Sequence, residues 1–459
     1  MSFKIIDKIT NSVYILVPMG CILFWAFISL AKDNFTLIHA ADFDVFYIAT
    51  QIIFTTPEKV YMGQTYPEGA HYTYTPFLLI LLWPMGLLTF EQAHWYYFFF
   101  ILILTELGVV LFNKILILRK VSKKFHRFLY LIAISNGIVY IQMFDILTGR
   151  IFMAFGLLWF LKREIKRREL KLEMVDNKFI FTQMMILMFF FGTSLQYIFL
   201  VILYVFHNVK LKEDIFSKLQ IKRYLLIAIS FLIQNFMLIV IFFISPESIL
   251  NLFGGHWRGE RSLGGQITGY TYQSLLERRP RDPVDSITTT IIVMRLYFDL
   301  SGVHISILLI SILIMSVITF LIHLHKNLKI EDKFGIWVLF SLFFFTFTQN
   351  RNFIALLPLI TILFLNYEIK SDKNMIEFIK KNQLILIGLV CIMILFFLPP
   401  IHYLIRVFPF LMNIPISILL FKFTYVFLIL SLDLFLLYRK DQTDSVQLNK
   451  NKQEYSIIN

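Results

Sequence analysis

Long apolar runs separated by short polar segments recur along the whole chain. Twelve of these runs are predicted to be transmembrane helices, and several are shorter than the roughly 20 residues that a perpendicular span needs, so tilted or broken helices are expected there. The first run is interpreted as a retained span, because no small-residue cleavage site follows it. The predicted spans are residues 13–31, 94–112, 128–144, 150–162, 179–191, 196–207, 224–244, 302–323, 334–348, 352–367, 383–400 and 412–438.

One further apolar run, YTPFLLILLWPMGLL at residues 74–88, is predicted to lie on the outer side of the membrane without crossing it. If it crossed, every later loop would change sides, and the basic runs RKVSKKFHR and KREIKRREL would face outward. Pro76 suits the first turn of a helix, and Pro84 would kink one. We therefore expect a juxtamembrane or re-entrant helix.

The distribution of positive charge predicts the orientation. With the N-terminus inside, the inner segments carry 31 Lys and Arg residues and the outer segments carry 11, in agreement with the positive-inside rule. Both termini are therefore expected in the cytoplasm, with one membrane domain at 1–440 and a polar cytoplasmic tail at 441–459. Basic inner loops in contact with membrane lipids account for the net charge of +13, so nucleic acid is not an expected partner.

Composition supports the same class. The chain is 58% hydrophobic and has a mean hydropathy of +0.71, with 51 Phe residues among 459. That is more apolar surface than one soluble core could bury. The two cysteines, Cys21 and Cys391, lie inside apolar runs, so no disulfide or metal motif is expected. The predicted fold is an all-α polytopic bundle in the cell membrane.

Two long outer loops differ in charge. Loop 32–93 carries six acids against two lysines, whereas loop 245–300 carries six arginines and no lysine. The guanidinium of Arg matches phosphate oxygens with two parallel hydrogen bonds, which Lys cannot do. The two loops together are therefore predicted to form the site, and its ligand is expected to carry phosphate.

This combination suits glycosyl transfer from a lipid-phosphate sugar. An aspartate can take the proton of an attacking hydroxyl, and cationic groups can stabilise a departing phosphate. Tyr and Trp rings offer sugars a flat apolar face. The sequence has no P-loop for nucleotides, no H-E-x-x-H and no G-x-S-x-G elbow, which agrees with a donor already attached to a lipid.

Four segments carry a resemblance to a known family. DFDVFYIA (42–49), YTPF (74–77), PMGLL (84–88) and YQSLLER (272–278) resemble the signature of glycosyltransferase family 87, a branch of the polytopic GT-C superfamily. The family transfers mannose or arabinofuranose from polyprenyl-phosphate donors on the non-cytoplasmic face. The resemblance implies a glycolipid or glycan acceptor, no metal or other cofactor, and Asp42 as general base.

The same resemblance, together with the outer loops, suggests further site residues. Possible second acids are Asp44 and Asp145. Candidates for binding the donor phosphate or sugar are Tyr72, Tyr74, Arg150, His256, Arg258, Gln273, Arg278 and Arg351. The chain departs from the family pattern at residues 149–152, where G-Q-x-N is usual, and at residues 196–197, where a Lys before a Pro is common. These departures leave the donor open.

Each assignment has an alternative. Asp42 and Asp44 would also suit the start of a helix just outside the membrane. Tyr72 and Tyr74 would suit an interfacial aromatic belt, and the loop arginines would suit lipid headgroups. At the level of function, the alternatives are a secondary transporter and a lipid-linked oligosaccharide polymerase or ligase.

Overall fold

The structure is a computed structural model, and it describes part of the chain. At some of these positions, including 2–14, 41, 42 and 150, it describes the backbone but not the side chain. The described residues are 2–32, 41–62, 65, 72, 74–118, 140–141, 143–144, 147, 149–170, 177–193, 198–207, 216–249, 302–324, 328, 330–344 and 387.

Across these residues the regular structure is entirely helical. The α-helices are α1 (Ser2–Lys32), α2 (Ala41–Ile52), α3 (Pro76–Leu81), α4 (Phe90–Leu118), α5 (Arg150–Glu169), α6 (Asn177–Thr193), α7 (Ile198–Phe206), α8 (Lys218–Gln234), α9 (Phe236–Ile244), α10 (Gly302–Leu324) and α11 (Ile330–Phe344). Two 3-10 turns lie at Pro57–Lys59 and Trp83–Leu87.

The apolar run 74–88 forms two short elements, α3 and the second 3-10 turn. Pro76 occupies the first turn of α3, as predicted, where a missing N–H costs nothing. The chain leaves α-geometry at Leu82, and Pro84 sits in the first turn of the 3-10 element that follows. Six α-helical residues rise only about 9 Å, so neither element is long enough to cross a bilayer, in agreement with the prediction for this run.

Helix α4 is the one described helix that is long and apolar enough to cross a membrane by itself. A reciprocal pair of hydrogen bonds starts it. The backbone N–H of Gln92 donates to Oγ1 of Thr89 at 3.4 Å, and the N–H of Thr89 donates to Oε1 of Gln92 at 3.3 Å. This is a capping box, which satisfies helix-start donors that have no partner within the helix.

The predicted span 224–244 is broken. Helices α8 and α9 are bent by 62° relative to each other, and they pass the length and hydropathy test for a span only when taken together. The break falls at Gln234 and Asn235, both buried. The side chain of Gln234 donates to the carbonyl of Met185 at 2.6 Å, and that of Asn235 donates to the carbonyl of Phe231 at 3.0 Å. The amide N–H groups of both side chains are thus bonded where the helix bends, whereas Oε1 of Gln234 and Oδ1 of Asn235 are buried without a hydrogen-bond partner among the described residues.

Other predicted spans coincide with helices wherever the chain is described. Span 150–162 is only the first part of α5, which continues to Glu169. Spans 13–31, 94–112, 179–191 and 302–323 fall within helices, and 196–207 and 334–348 overlap α7 and α11. Four predicted spans lie mostly or wholly outside the described residues: most of 128–144, all of 352–367 and 412–438, and all of 383–400 except residue 387. The all-helical fold is thus observed, and the number of twelve spans stays a prediction.

The helices share two ends. At one end, which we call the α2 end, Phe43 of α2 packs on His94 of α4, and Phe100 of α4 contacts Phe152 of α5. At the other end, which we call the basic end, Lys114 of α4 is close enough to Lys162 of α5 for electrostatic repulsion. His94 and Lys114 are 20 residues apart on α4, which separates the two ends by about 30 Å.

Helices α5, α6 and α7 and the bent pair α8–α9 run alternately between these ends. Arg163 of α5 bonds Gln183 near the start of α6 at the basic end, whereas Phe189 of α6 contacts Phe77 of α3 at the α2 end. Ser248, just after α9, donates to the carbonyl of Glu58 in the first 3-10 turn. The predicted inner segments 162–178, 207–223 and 323–333 therefore meet at the basic end, as far as they are described.

Candidate functional site

The two acids of the DFDVFYIA segment lie in the first turn of α2. The helix begins at Ala41, so Asp42 and Asp44 are placed where the partial positive charge of the helix N-terminus favours a carboxylate. That position fits the helix-start alternative as well as a functional role. The side chain of Asp42 lies outside the described part of the structure. The Asp44 carboxyl is half-buried, and its burial raises its pKa above the ordinary 3.8.

The three N-terminal segments that carry the family resemblance pack against one another at the α2 end. The hydroxyl of Tyr47 in α2 donates to the carbonyl of Leu88 at 3.0 Å. The ring of Phe46 lies 5.0 Å from that of Tyr74. Gly86 of the second 3-10 turn approaches the backbone of Thr50 closely. Segments 42–49, 74–77 and 84–88 thus form one contiguous structure.

Gly86 allows this approach because it has no side chain. A Cβ added there would lie 2.9 Å from the carbonyl oxygen of Thr50 and 3.3 Å from the amide nitrogen of Gln51. Backbone atoms of a helix cannot move aside as the end of a flexible side chain can. We expect Gly86→Ala to destabilise the protein by about 1–3 kcal/mol, the cost typical of overpacking, measured as a lower midpoint of thermal unfolding.

Gly108 provides the matched control. It lies inside α4, and a Cβ there would meet only Cδ1 of Leu158 at 3.8 Å, an ordinary contact. Because alanine favours a helix interior over glycine, Gly108→Ala should be neutral or stabilising. Equal unfolding midpoints for the two variants would show that the close approach of Gly86 to α2 does not matter.

Aromatic rings surround the start of α4. Phe43 is stacked on His94 with centroids 4.2 Å apart and an interplanar angle of 3°. Phe46 contacts Tyr97 at 5.5 Å and Tyr72 at 6.0 Å. Such contacts add to the burial energy of the rings. They fix α2, and with it the acids in its first turn, against α4 and the 72–75 segment.

The predicted sugar-binding tyrosines are both buried. The hydroxyl of Tyr72 donates to the carbonyl of Thr75 at 2.8 Å, and the carbonyl of Tyr74 accepts from the hydroxyl of Tyr61 at 3.0 Å. The Tyr72 ring also contacts the Tyr61 ring at 5.9 Å. In the structure, Tyr72 and Tyr74 help to hold the α2 end together. Their direct contact with a sugar stays a prediction.

The remaining predicted site residues divide into two groups. Arg150 begins α5 at the α2 end, next to Gly149, where a Cβ would lie 2.8 Å from the Phe46 ring. Its side chain is not among those described. The other predicted site residues lie outside the described part of the chain: Asp145, His256, Arg258, Gln273, Arg278 and Arg351.

The raised pKa of Asp44 leads to a pH prediction. Because burial penalises the carboxylate, the native state holds the proton more tightly than the unfolded state, so stability is lost as pH rises through the native pKa. Asp44→Asn cannot ionise. We expect this variant to melt at a higher temperature than the wild type at neutral pH, with the difference vanishing below pH 3.8, the ordinary value.

Thermal unfolding of the wild type and of Asp44→Asn, from neutral pH to below pH 3.8, checks the prediction. A variant less stable than the wild type at neutral pH would mean that the carboxylate of Asp44 makes favourable interactions that outweigh its burial.

Hydropathy did not single out Glu106, a carboxyl group in the middle of α4. Both of its oxygens are buried and have no hydrogen-bond partner. Buried Tyr140 is close enough to interact with it electrostatically. An acid inside an apolar helix is a signal that the sequence does contain, since ionisable groups within spans are commonly functional.

A second polar cluster, at the basic end, centres on the buried carboxylate of Glu164 in α5. Its Oε1 accepts from Nε2 of Gln183 at 2.9 Å and from the hydroxyl of Tyr204. Its Oε2 accepts from Nε and Nη2 of Arg167, both at 3.2 Å. Nε of Arg163 donates to Oε1 of Gln183 at 2.8 Å and orients that amide. From its basic residues, this segment was predicted only to set the membrane topology.

Metal binding is not indicated by the part of the chain that the structure describes. No group of three or more His, Cys, Asp or Glu side chains there is arranged to hold an ion. The expectation of a metal-free reaction stays a prediction, because most of loop 245–300 and Asp145 are not among the described residues.

No protein-family model, curated protein or solved structure matches the chain.

Proposed function

We propose that the protein is an integral-membrane glycosyltransferase. It would move a mannose-like hexose or arabinofuranose from a polyprenyl-phosphate donor to an acceptor hydroxyl on the outer face of the cell membrane, with Asp42 as general base. The observation that supports this most is the convergence of segments 42–49, 74–77 and 84–88. Three segments that are distant in sequence and resemble parts of one family signature meet in space, with the acids at one helix start.

The proposed reaction uses an acid of one outer loop and arginines of the other. The acceptor oxygen attacks the anomeric carbon while Asp42 takes its proton. The bond from that carbon to the phosphate oxygen breaks, and the phosphate leaves with the electron pair. Arginines of loop 245–300, with Arg258 and Arg278 the first candidates, would neutralise the charge gained by the phosphate. The acid and the arginines thus act on opposite sides of the anomeric carbon.

The proposal includes a membrane orientation. Long apolar α4 fits a bilayer span, and the basic end collects Arg163, Arg167, Arg223 and Lys333. Placing this end in the cytoplasm follows the positive-inside rule. The α2 end, and Asp42 with it, then lies at the outer face of a bundle of about twelve spans, the number expected from hydropathy at roughly 20 residues each.

Sidedness of the reaction tests the proposal. Proteoliposomes of known protein orientation would receive a polyprenyl-phosphate sugar in their lipid and a water-soluble acceptor on one side only. Product is expected only when the acceptor is on the side of the α2 end, located by labelling a cysteine introduced at Glu58. Product formed only with acceptor at the basic end would contradict the proposal.

A secondary transporter is the second candidate, and two observations favour it. Glu106 carries a buried carboxyl without a hydrogen-bond partner inside α4, and α8 and α9 are bent by 62°. Buried acids and broken helices are features of transporters. Vesicles would then accumulate a solute without changing its mass, and Glu106→Gln would abolish uptake. A glycosyltransferase would instead increase the mass of its acceptor.

A further inference from the structure

One carboxyl group lies in the middle of α4 without a hydrogen-bond partner. Glu106 stands 12 residues before Leu118, the end of the helix, and further still from its start, so at least about 18 Å of helix separates it from either end. The side chains one helical turn away are its neighbours on the helix surface, and all four are aliphatic: Leu102, Ile103, Val109 and Val110. The helix itself thus offers Glu106 nothing to pair with.

The rest of the fold does not pair with this carboxyl group either. Both of its oxygens are buried, and neither has a hydrogen-bond partner among the described residues. No basic side chain in that part of the chain interacts with Glu106 electrostatically. Among the described titratable groups, Tyr140 is the one that lies close enough for an electrostatic interaction, and it is buried as well. No described cation or bonded donor therefore stabilises a negative charge on Glu106.

An unpaired carboxylate in such surroundings is unfavourable. Its transfer from water to an apolar interior costs more free energy than folding supplies, and a buried acid avoids this cost by staying neutral. A metal cation is a poor alternative, because such ions take several oxygen ligands. The described residues contain no group of three or more His, Cys, Asp or Glu side chains that could hold one. A proton needs no ligand besides the carboxylate.

We propose that Glu106 is a reversible proton-binding site in the interior of the membrane domain. In the conformation of the structure, the carboxyl group is the neutral acid. When the proton leaves, the carboxylate needs a new donor, and the hydroxyl of Tyr140 is the one that the described residues offer within electrostatic reach. Ionisable groups inside spans commonly take part in proton relays. The site rests neither on glycosyl transfer nor on Asp42, so either proposal can fail without the other.

Reaction with a membrane-permeant carbodiimide tests for the bound proton. The carboxylic acid passes its proton to one nitrogen of dicyclohexylcarbodiimide while its oxygen adds to the central carbon. The acyl group then moves from that oxygen to a nitrogen, which gives a stable N-acylurea with no leaving group. Full-length protein in nanodiscs is labelled at neutral pH, digested and mapped by mass. Glu106 should carry at least about tenfold more label than Glu91, an exposed acid in the first turn of the same helix.

A pH series shows whether the proton is exchangeable. Each pH unit above the midpoint of proton release lowers the protonated fraction about tenfold, so labelling of Glu106 should fall at least about tenfold between neutral and strongly alkaline pH. It should recover fully when the protein is returned to neutral pH before the reagent is added.

Variants connect the label to this carboxyl group. Glu106→Gln should carry no label at that position, whereas Glu106→Asp, which keeps the acid, should be labelled. Asp42→Asn should be labelled at Glu106 like the wild type, which separates this site from sugar transfer. Because the mapping assigns the label to a residue of the wild type, the test does not depend on the folding of any variant.

The proposal would be overturned if Glu106 carried no more label than Glu91 at neutral pH. Labelling that stayed constant across the pH series would also overturn it, since the side chain would then be permanently neutral and purely structural. A loss of label when sodium chloride replaces choline chloride at constant pH would overturn it too, because the carboxyl group would then bind a metal cation in place of the proton.

Discussion

Glu164→Ala is expected to lower the stability of the protein by about 3–5 kcal/mol, the cost typical of removing one partner from a buried ion pair. The carboxylate is only 1% exposed and accepts hydrogen bonds from Gln183, Tyr204 and Arg167. Without it, donors on α5, α6 and α7 lose their common acceptor. The midpoint of thermal unfolding in detergent measures the loss.

The control lies on the same helix. Glu169 is an exposed acid five residues further along α5, and Glu169→Ala should leave the unfolding midpoint nearly unchanged. Glu164→Gln should fall between the two, because it keeps one acceptor oxygen but loses the charge. A Glu164→Ala protein that melts like Glu169→Ala would mean that the network contributes nothing to holding the three helices together.

Asp42→Asn is expected to reduce the rate of sugar transfer roughly 10²–10⁴-fold, the range typical of losing a general base. Asparagine has a similar shape but cannot take a proton. Donor binding should be largely kept, so kcat should fall while KM changes little. Initial rates at varied donor concentration, with the fold checked by unfolding midpoint, measure this effect.

Asp44→Asn separates the two acids of the DFDVFYIA segment. Both lie in the first turn of α2, so the loss of a carboxylate at the helix N-terminus would by itself affect the two variants similarly. We expect Asp44→Asn to retain most of the turnover. If its loss matched or exceeded that of Asp42→Asn, Asp44 would be the base, and the assignment taken from the family register would be wrong.

The apolar pattern predicted the helices well and their interruptions less well. The 74–88 run was predicted not to cross the membrane because crossing would place the basic runs outside, and Pro76 and Pro84 agree with the two short elements observed there. The break near Asn235 was missed. Gln234 and Asn235 interrupt an apolar run, but their effect depends on the carbonyl of Met185, 49 residues earlier, and hydropathy does not record such a partner.

The candidate sites, too, could be predicted from sequence where a local motif carries them but not where they depend on tertiary contacts. The acids at residues 42 and 44 could be found from sequence because a short motif carries them. The packing of segments 42–49 and 84–88 depends on how the chain turns back between them, which no local pattern specifies. At the basic end, the pair of Glu164 with Arg167 has helical i, i+3 spacing. Its contacts with Gln183 and Tyr204 are tertiary, so they became visible only in the fold.

The most direct measurement of the central claim is the mass of an acceptor after incubation with purified protein and one of two donors, a polyprenyl-phosphate sugar or a nucleotide sugar. We expect a gain of one sugar residue with the lipid-phosphate donor, none with the nucleotide donor, and a strongly reduced gain for Asp42→Asn. Transfer from the nucleotide donor alone, or no mass gain across a panel of polyprenyl-phosphate hexoses and arabinofuranose, would contradict it.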